Sequence, residues 1–232
     1  PRSTRKESSA ASDVYKRQVN TSISRSEYPQ IYKFEFSTPV PKVYPTEKIR
    51  QLRNISGLLN FDKTMEKLLA ELMVSDMETN LDPSQYGNQK QISIQHYLIN
   101  MIHRILTVLD KNERRHNFAI IASYIDWDNA FPRQCPKLGI ESFIQNGVRP
   151  SLIPVLINYF QDRETSLKWH GIQSIPRKIN GGGPQGATLG ILEYLSQSNN
   201  IADLVNENDI FLQKTLMKTT QQKTFLQKNT IT

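Results

Sequence analysis

The sequence predicts an α+β fold in which helices pack on a small antiparallel sheet, and three patterns point to it. Apolar residues recur at the 3.6-residue helical period in two long segments, at Met65, Leu68, Leu69, Leu72 and Met73 and again from Ile94 to Leu109. Phe118–Ile125 (FAIIASYI) is a short apolar run with β-branched residues, bounded by polar ones, and predicts a buried strand. SLKWHG and SIPRKI, either side of Gly171, predict a pair of short strands or a hairpin.

In chain order, the prolines of TPVPKVYPT at 39, 41 and 45 remove backbone donors and predict an extended connecting segment or an edge strand. Asp62 is placed to cap a helix that runs to about Met77, before Pro83. A stronger helix is expected from about Ser93 to Leu109, with Tyr97, Leu98, Met101, Ile102, Ile105 and Leu106 on one stripe. Both stripes are assigned to the core. After the predicted strand, LGIESFIQN closing at Gly147 and SLIPVLINYF starting from a Ser151 cap read as helices. Gly181 to Gly186 then breaks the chain ahead of a last helical pattern carrying Leu189, Ile191, Leu192 and Leu195.

With 38% apolar and 22% charged residues, the 232-residue chain has the composition of an ordinary globular protein with one main folded unit. No run of eighteen apolar residues occurs, so no membrane-spanning helix is expected. Cys135 is the only cysteine, which excludes an internal disulfide framework or a Cys-rich metal site and is compatible with a reducing, intracellular compartment, cytoplasm or nucleus. The formal charge of +7 resides at the two ends: +3 falls within residues 1–18 and +4 within 214–232, while basic and acidic residues cancel between them. Net charge therefore supplies no argument for nucleic-acid binding by the body of the chain. Residues 1–18 predict disorder by composition, and SSAASDVYKRQ resembles a translated library adaptor, with a natural basic arm as the alternative. Residues 213–232, rich in Lys, Thr and Gln, likewise read as a disordered tail.

Three segments have the residue types for chemistry. In YIDWDNAF a predicted strand delivers Asp126 to its exit, with Asp128 two residues on. Hard cations such as Mg²⁺ take oxygen ligands, and a pair of them aligns an attacking hydroxyl with a leaving phosphate, although one carboxylate cannot hold both. The bland alternative is an aspartate that ends a strand or starts a turn. In NGGGPQGATLG, glycines admit close approach of the backbone to a ligand, Pro184 fixes a turn and Gln185 offers both a donor and an acceptor. Gly181, Gly183 and Gly186 also satisfy G-x-G-x-x-G without a convincing strand before them, the phosphate-loop pattern fails at Ala187, and a structural glycine turn remains open. The polar loop LDPSQYGNQKQIS carries Tyr86 and Lys90, an aromatic and a cation suited to base and triphosphate, as solvated loops also often are. His103 and His116 have no metal-ligand spacing, and Trp127 and Trp169 are assigned to the core.

Taken in order, these pieces resemble the reverse transcriptase domain of non-LTR (LINE-like) retrotransposons from about Thr38 to Asp209. TPVPKVYP with IRQLRNISGLLNFDKTMEKL is similar to the family's opening, LDPSQYGNQKQISIQHYLI to its finger segment, IDWDNAF to its motif A and GGGPQGATLG to its motif B. The resemblance implies an incomplete right-hand polymerase: an extended segment at 19–57, a fingers-like helical part at 58–116 and a partial palm at 117–212. It also implies RNA-directed DNA synthesis with two Mg²⁺ ions, an RNA template, a DNA primer and deoxynucleotide triphosphates. Within it Asp126 is the catalytic metal ligand, with the Trp127 carbonyl beside it. Phe131 screens the sugar 2′ position. Gln185 and Gly186, in the turn set by Pro184, border the nascent base pair, and Arg53 and Lys90 reach triphosphate or template from the fingers. The chain departs from the family pattern at Asn54, at Asn88 with Gln89, and at Pro132. The hairpin bearing two adjacent aspartates should follow VNENDIF, yet no Asp or Glu occurs after Asp209. The sequence therefore predicts a polymerase fragment inactive as it stands. The alternatives are a non-catalytic RNA-binding or interaction module, or a degenerate reading frame.

Overall fold

A computed structural model describes residues 2–87, 89, 91–112, 118–125, 130–184, 186–199, 210–216 and 221–230. They form two compact units: Pro1–Asn80 with Phe131–Ser196, and Leu81–Ala130 with Gln197–Thr232.

In the first unit, helix α1 (Arg2–Arg25) is followed by strands β1 (Phe34–Pro41) and β2 (Leu52–Gly57), helix α2 (Asn60–Met77), and, after the chain returns, helices α4 (Pro136–Gln145) and α5 (Ile153–Phe160). Strands β4 (Glu164–Trp169), β5 (Ile172–Gln173) and β6 (Arg177–Lys178) precede helix α6 (Thr188–Asn199). The sheet is mixed, in the order β2-β1-β4-β5 with β6 also on β4; β1 runs antiparallel to β2 and parallel to β4. Prolines are tolerated in β1 because β4 pairs only with Phe34 to Ser37, so Pro39 and Pro41 lie where β2 is the sole neighbour. The predicted strand pair is present: β4 turns into β5 through His170 and Gly171, both at positive φ.

The core of this unit is the apolar face of α2 (Met65, Leu69, Met73, Met77) with Phe143 of α4, Val155, Leu156 and Tyr159 of α5, and Leu189, Leu192 and Leu195 of α6. Two expected caps are corrected. Helix α2 begins at Asn60, and Asp62, within its first turn, is buried rather than capping; α5 begins at Ile153 after a tight turn at Pro150–Leu152, so Ser151 is not its cap. Trp169, assigned to the core, is 40% exposed beside His170. Residues 1–18, read as disordered, lie within α1 from residue 2 onward. Residues 2–25 contain no Gly or Pro to break a helix, Val19 is buried, and Tyr15 meets Phe61 of α2 at 5.0 Å between ring centroids. Composition averaged over eighteen residues conceals that apolar contact.

The second unit holds helix α3 (Ile94–Lys111) and the strands β3 (Phe118–Ile125), β7 (Ile210–Leu216) and β8 (Gln221–Thr230), in an antiparallel sheet of order β3-β8-β7. The predicted strand is β3, though its Ile121 is exposed rather than buried, and α3 begins where the sequence suggested, with Ser93 and His96 forming a capping box. Residues 213–232, read as a disordered tail, include most of β7 and all of β8. A strand such as β3 needs a backbone partner for its N–H and C=O groups, and β8 supplies one along its whole length. The α3 stripe departs from the core assignment. Tyr97 is buried, but Leu98, Ile102, Leu106 and Leu109 are roughly half exposed, because helical spacing identifies a face and not what covers it. Among the described residues, no helix is long and apolar enough to cross a membrane.

Candidate functional site

The glycine-proline segment 181–187 is fastened from two sides of the first unit. On one side is the tight turn Phe131–Arg133 with Gln134, which starts at the last residue of the motif A-like segment. The Gly183 amide donates to the Phe131 carbonyl at 3.0 Å, the Gly182 amide to the Gln134 carbonyl at 2.9 Å, and the Gln134 side-chain amide to the Gly190 carbonyl at 3.1 Å. Gly182 has φ +81°, and a Cβ there would lie 2.8 Å from the Pro132 carbonyl oxygen, so both backbone conformation and space demand glycine. Gly186, at φ +110°, stands beside the Ser56 carbonyl of β2, the strand that also carries Arg53. Pro184 is buried, and its carbonyl accepts from the Ala187 amide at 3.1 Å, closing the turn into α6.

The other fastening comes from α2. Glu66 is fully buried; its Oε2 accepts the Thr188 amide at 2.8 Å, at the start of α6, and its Oε1 accepts the Tyr159 hydroxyl at 2.5 Å. One turn earlier Asp62 accepts the Tyr28 hydroxyl, and Arg163, 2% exposed, lies 4.5 Å from the centre of the Tyr159 ring. Burial pushes the Glu66 carboxyl up to about 7, and Asp62 adds to the rise, against the Tyr159 and Thr188 hydrogen bonds and the Arg163 charge. Burial likewise raises Asp62 and Glu35, and it raises the hydroxyls of Tyr28 and Tyr159, with the neighbouring carboxylates adding to the effect.

Of the residues singled out in the sequence, Phe131, Pro184, Gly186 and Arg53 belong to this one unit. The first three meet at the loop and the turn that fastens it; Phe131 is also 6.2 Å from Tyr194 of α6, ring to ring. Arg53 is half-buried on β2, opposite Val40 of β1. Asp126, Trp127, Gln185 and Lys90 lie outside the described residues. Among the described residues, no group of three or more His, Cys, Asp or Glu could hold a metal ion. The described residues therefore offer no set of carboxylates that fits a two-ion site.

Glu66 and Gln134 were not foreseen. Glu66 had a legible signal, since Asp62 and Glu66 stand on the same helical stripe as Met65, Leu69 and Met73, where a carboxylate has to find a buried donor. Gln134 had none, because the loop groups it holds, Gly182 and Gly190, lie more than forty residues along the chain. A cavity of about 710 Å³ between α1 and the Tyr28–Lys33 segment includes none of the residues selected by motif.

No family model matches the chain. A Drosophila melanogaster protein described as a probable RNA-directed DNA polymerase from transposon BS is 30% identical over 157 residues, which is 65% of this chain and 16% of that protein. Apo telomerase from Candida tropicalis, truncated from its C-terminal domain, has a similar fold, with a TM-score of 0.50 at 14% identity over 86% of this chain and 44% of that one.

Proposed function

From the premise that this chain carries a reverse-transcriptase-like domain with an α+β polymerase fold, we propose that it supplies fingers and part of the palm for RNA-directed DNA synthesis and does not itself catalyse nucleotide addition. The observation that carries this reading is the pair of backbone bonds joining Gly183 to Phe131 and Gly182 to Gln134. They tie the loop that resembles motif B to Phe131, the last residue of the segment that resembles motif A, and to Gln134 three residues beyond it, which supports reading the loop as part of a nucleotide- and template-binding surface.

In this reading the RNA template and DNA primer pass over the 181–187 loop. Pro184, Gln185 and Gly186 border the newly formed base pair, and Phe131 lies under the sugar. Arg53 and Lys90 contact triphosphate or template, and Asp126, with the Trp127 carbonyl beside it, is the lone carboxylate toward Mg²⁺. The compartment that goes with this substrate is cytoplasm or nucleus. Nucleotide addition fails because the adjacent aspartates of an intact family member have no counterpart after Asp209. Primer extension on an RNA template with Mg²⁺ tests this: the chain is expected to bind primer–template without elongating it. Robust, Asp126-dependent synthesis would overturn the inactivity, and absence of any primer–template binding would overturn the polymerase reading.

A further inference from the structure

We infer that Glu66 is the positioning residue of the glycine-proline loop, holding 181–187 in place by capping α6 from a helix more than a hundred residues earlier in the chain. The role of that loop in meeting template and primer rests on the function proposed above; the fastening itself does not.

With Gly182 and Gly186 both at positive φ, the loop has little conformational preference of its own and takes its shape from what grips it. The turn at 131–134 holds its first half. Its second half ends at Thr188, whose amide belongs to the first turn of α6 and has no partner within the helix. Ala187, directly before it, has no side-chain oxygen with which to cap. Glu66 reaches across and accepts that amide at 2.8 Å, placing a carboxyl oxygen on an orphan donor of the first turn of α6. Its second oxygen is held by Tyr159 at 2.5 Å, which sets the direction of the first. Burying a carboxylate is costly, and a Ser or Asp at 187 would cap α6 more simply. What the remote carboxyl adds is a rigid tie: the loop cannot shift relative to α2 and α5 without breaking a buried hydrogen bond.

The test uses the full chain, reading hydrogen–deuterium exchange across 181–190 together with primer–template affinity by fluorescence anisotropy. Glu66→Ala should speed exchange at 186–190 by about tenfold, the effect of losing an ordinary helix cap, while α5 amides keep their rates. Primer–template affinity should weaken in parallel. Glu66→Gln, which keeps an acceptor for the Thr188 amide, should restore both. Thr188→Pro, tolerated at the first helical position, removes the donor and leaves Glu66 untouched; it should reproduce the alanine effect on the loop even if Glu66→Ala does not fold. Unchanged loop exchange in both variants, or a uniform acceleration throughout the first unit, overturns the inference. A wild-type chain that fails to bind primer–template while its loop exchange responds as described retires the polymerase reading and leaves the positioning role standing.

Discussion

At the scale of single residues, the carboxylates buried in the first unit control how stability responds to pH. The Glu66 carboxyl rises from an ordinary 4.5 to about 7, so the folded state holds a proton that the unfolded chain releases. A raised carboxyl contributes stability that is fully present below pH 4.5 and is lost as pH rises through 7. Glu35 and Asp62, raised by burial, act in the same direction. Asp76 acts oppositely: its carboxyl is lowered by the hydrogen bonds from Arg149, and its contribution is lost only in acid, below its ordinary value of 3.8. Urea denaturation of the chain should therefore show stability falling between about pH 5 and pH 7.5, by on the order of 2 kcal/mol. Glu66→Gln, which cannot titrate, should flatten that slope; a wild-type profile that is already flat, or one that rises with pH, would remove Glu66 from this role.

At the scale of elements, the first unit is stitched by contacts between segments far apart in sequence, and the 181–187 loop is where the stitches concentrate. Gly182 is the most demanding position, combining positive φ with the Pro132 carbonyl oxygen at 2.8 Å from any added Cβ. Gly182→Ala should lower stability by about 1–3 kcal/mol, the cost of a side chain forced into a strained backbone conformation, while Gly181→Ala, with open space around it, should cost much less. Equal thermal shifts for the two variants would contradict the packing of the loop on the 131–134 turn. Element formation itself was largely legible. The helical period at 65–73 located α2, the FAIIASYI run located β3, and the strand pair around Gly171 is present. What misled was local capping logic at Asp62 and Ser151: a side chain able to cap is not obliged to, and Asp62 instead meets the Tyr28 hydroxyl across the interior.

At the scale of the whole molecule, charge is carried by the ends, with Lys214, Lys218, Lys223 and Lys228 contributing four of the seven net positive charges. If these lysines reach phosphates, changing all four to Gln should flatten the dependence of log affinity on log salt by about 0.7–0.9 for each contact removed. An unaltered slope in a titration of primer–template affinity against salt would show that binding relies on the central, charge-balanced body. The sequence by itself determined which residues share a helix face, where the strand β3 runs, and the order of motifs resembling a reverse transcriptase, since all of these follow from spacing along the chain. Only the tertiary structure decided that Glu66 reaches Thr188, that Gln134 holds the glycine loop, that α1 is a helix docked through Val19 and Tyr15, and that the α3 stripe is left half exposed. Each of these depends on which surfaces meet in space. A hydrogen bond between residues 122 positions apart leaves no periodicity in the sequence, and burial belongs to the neighbour as much as to the residue.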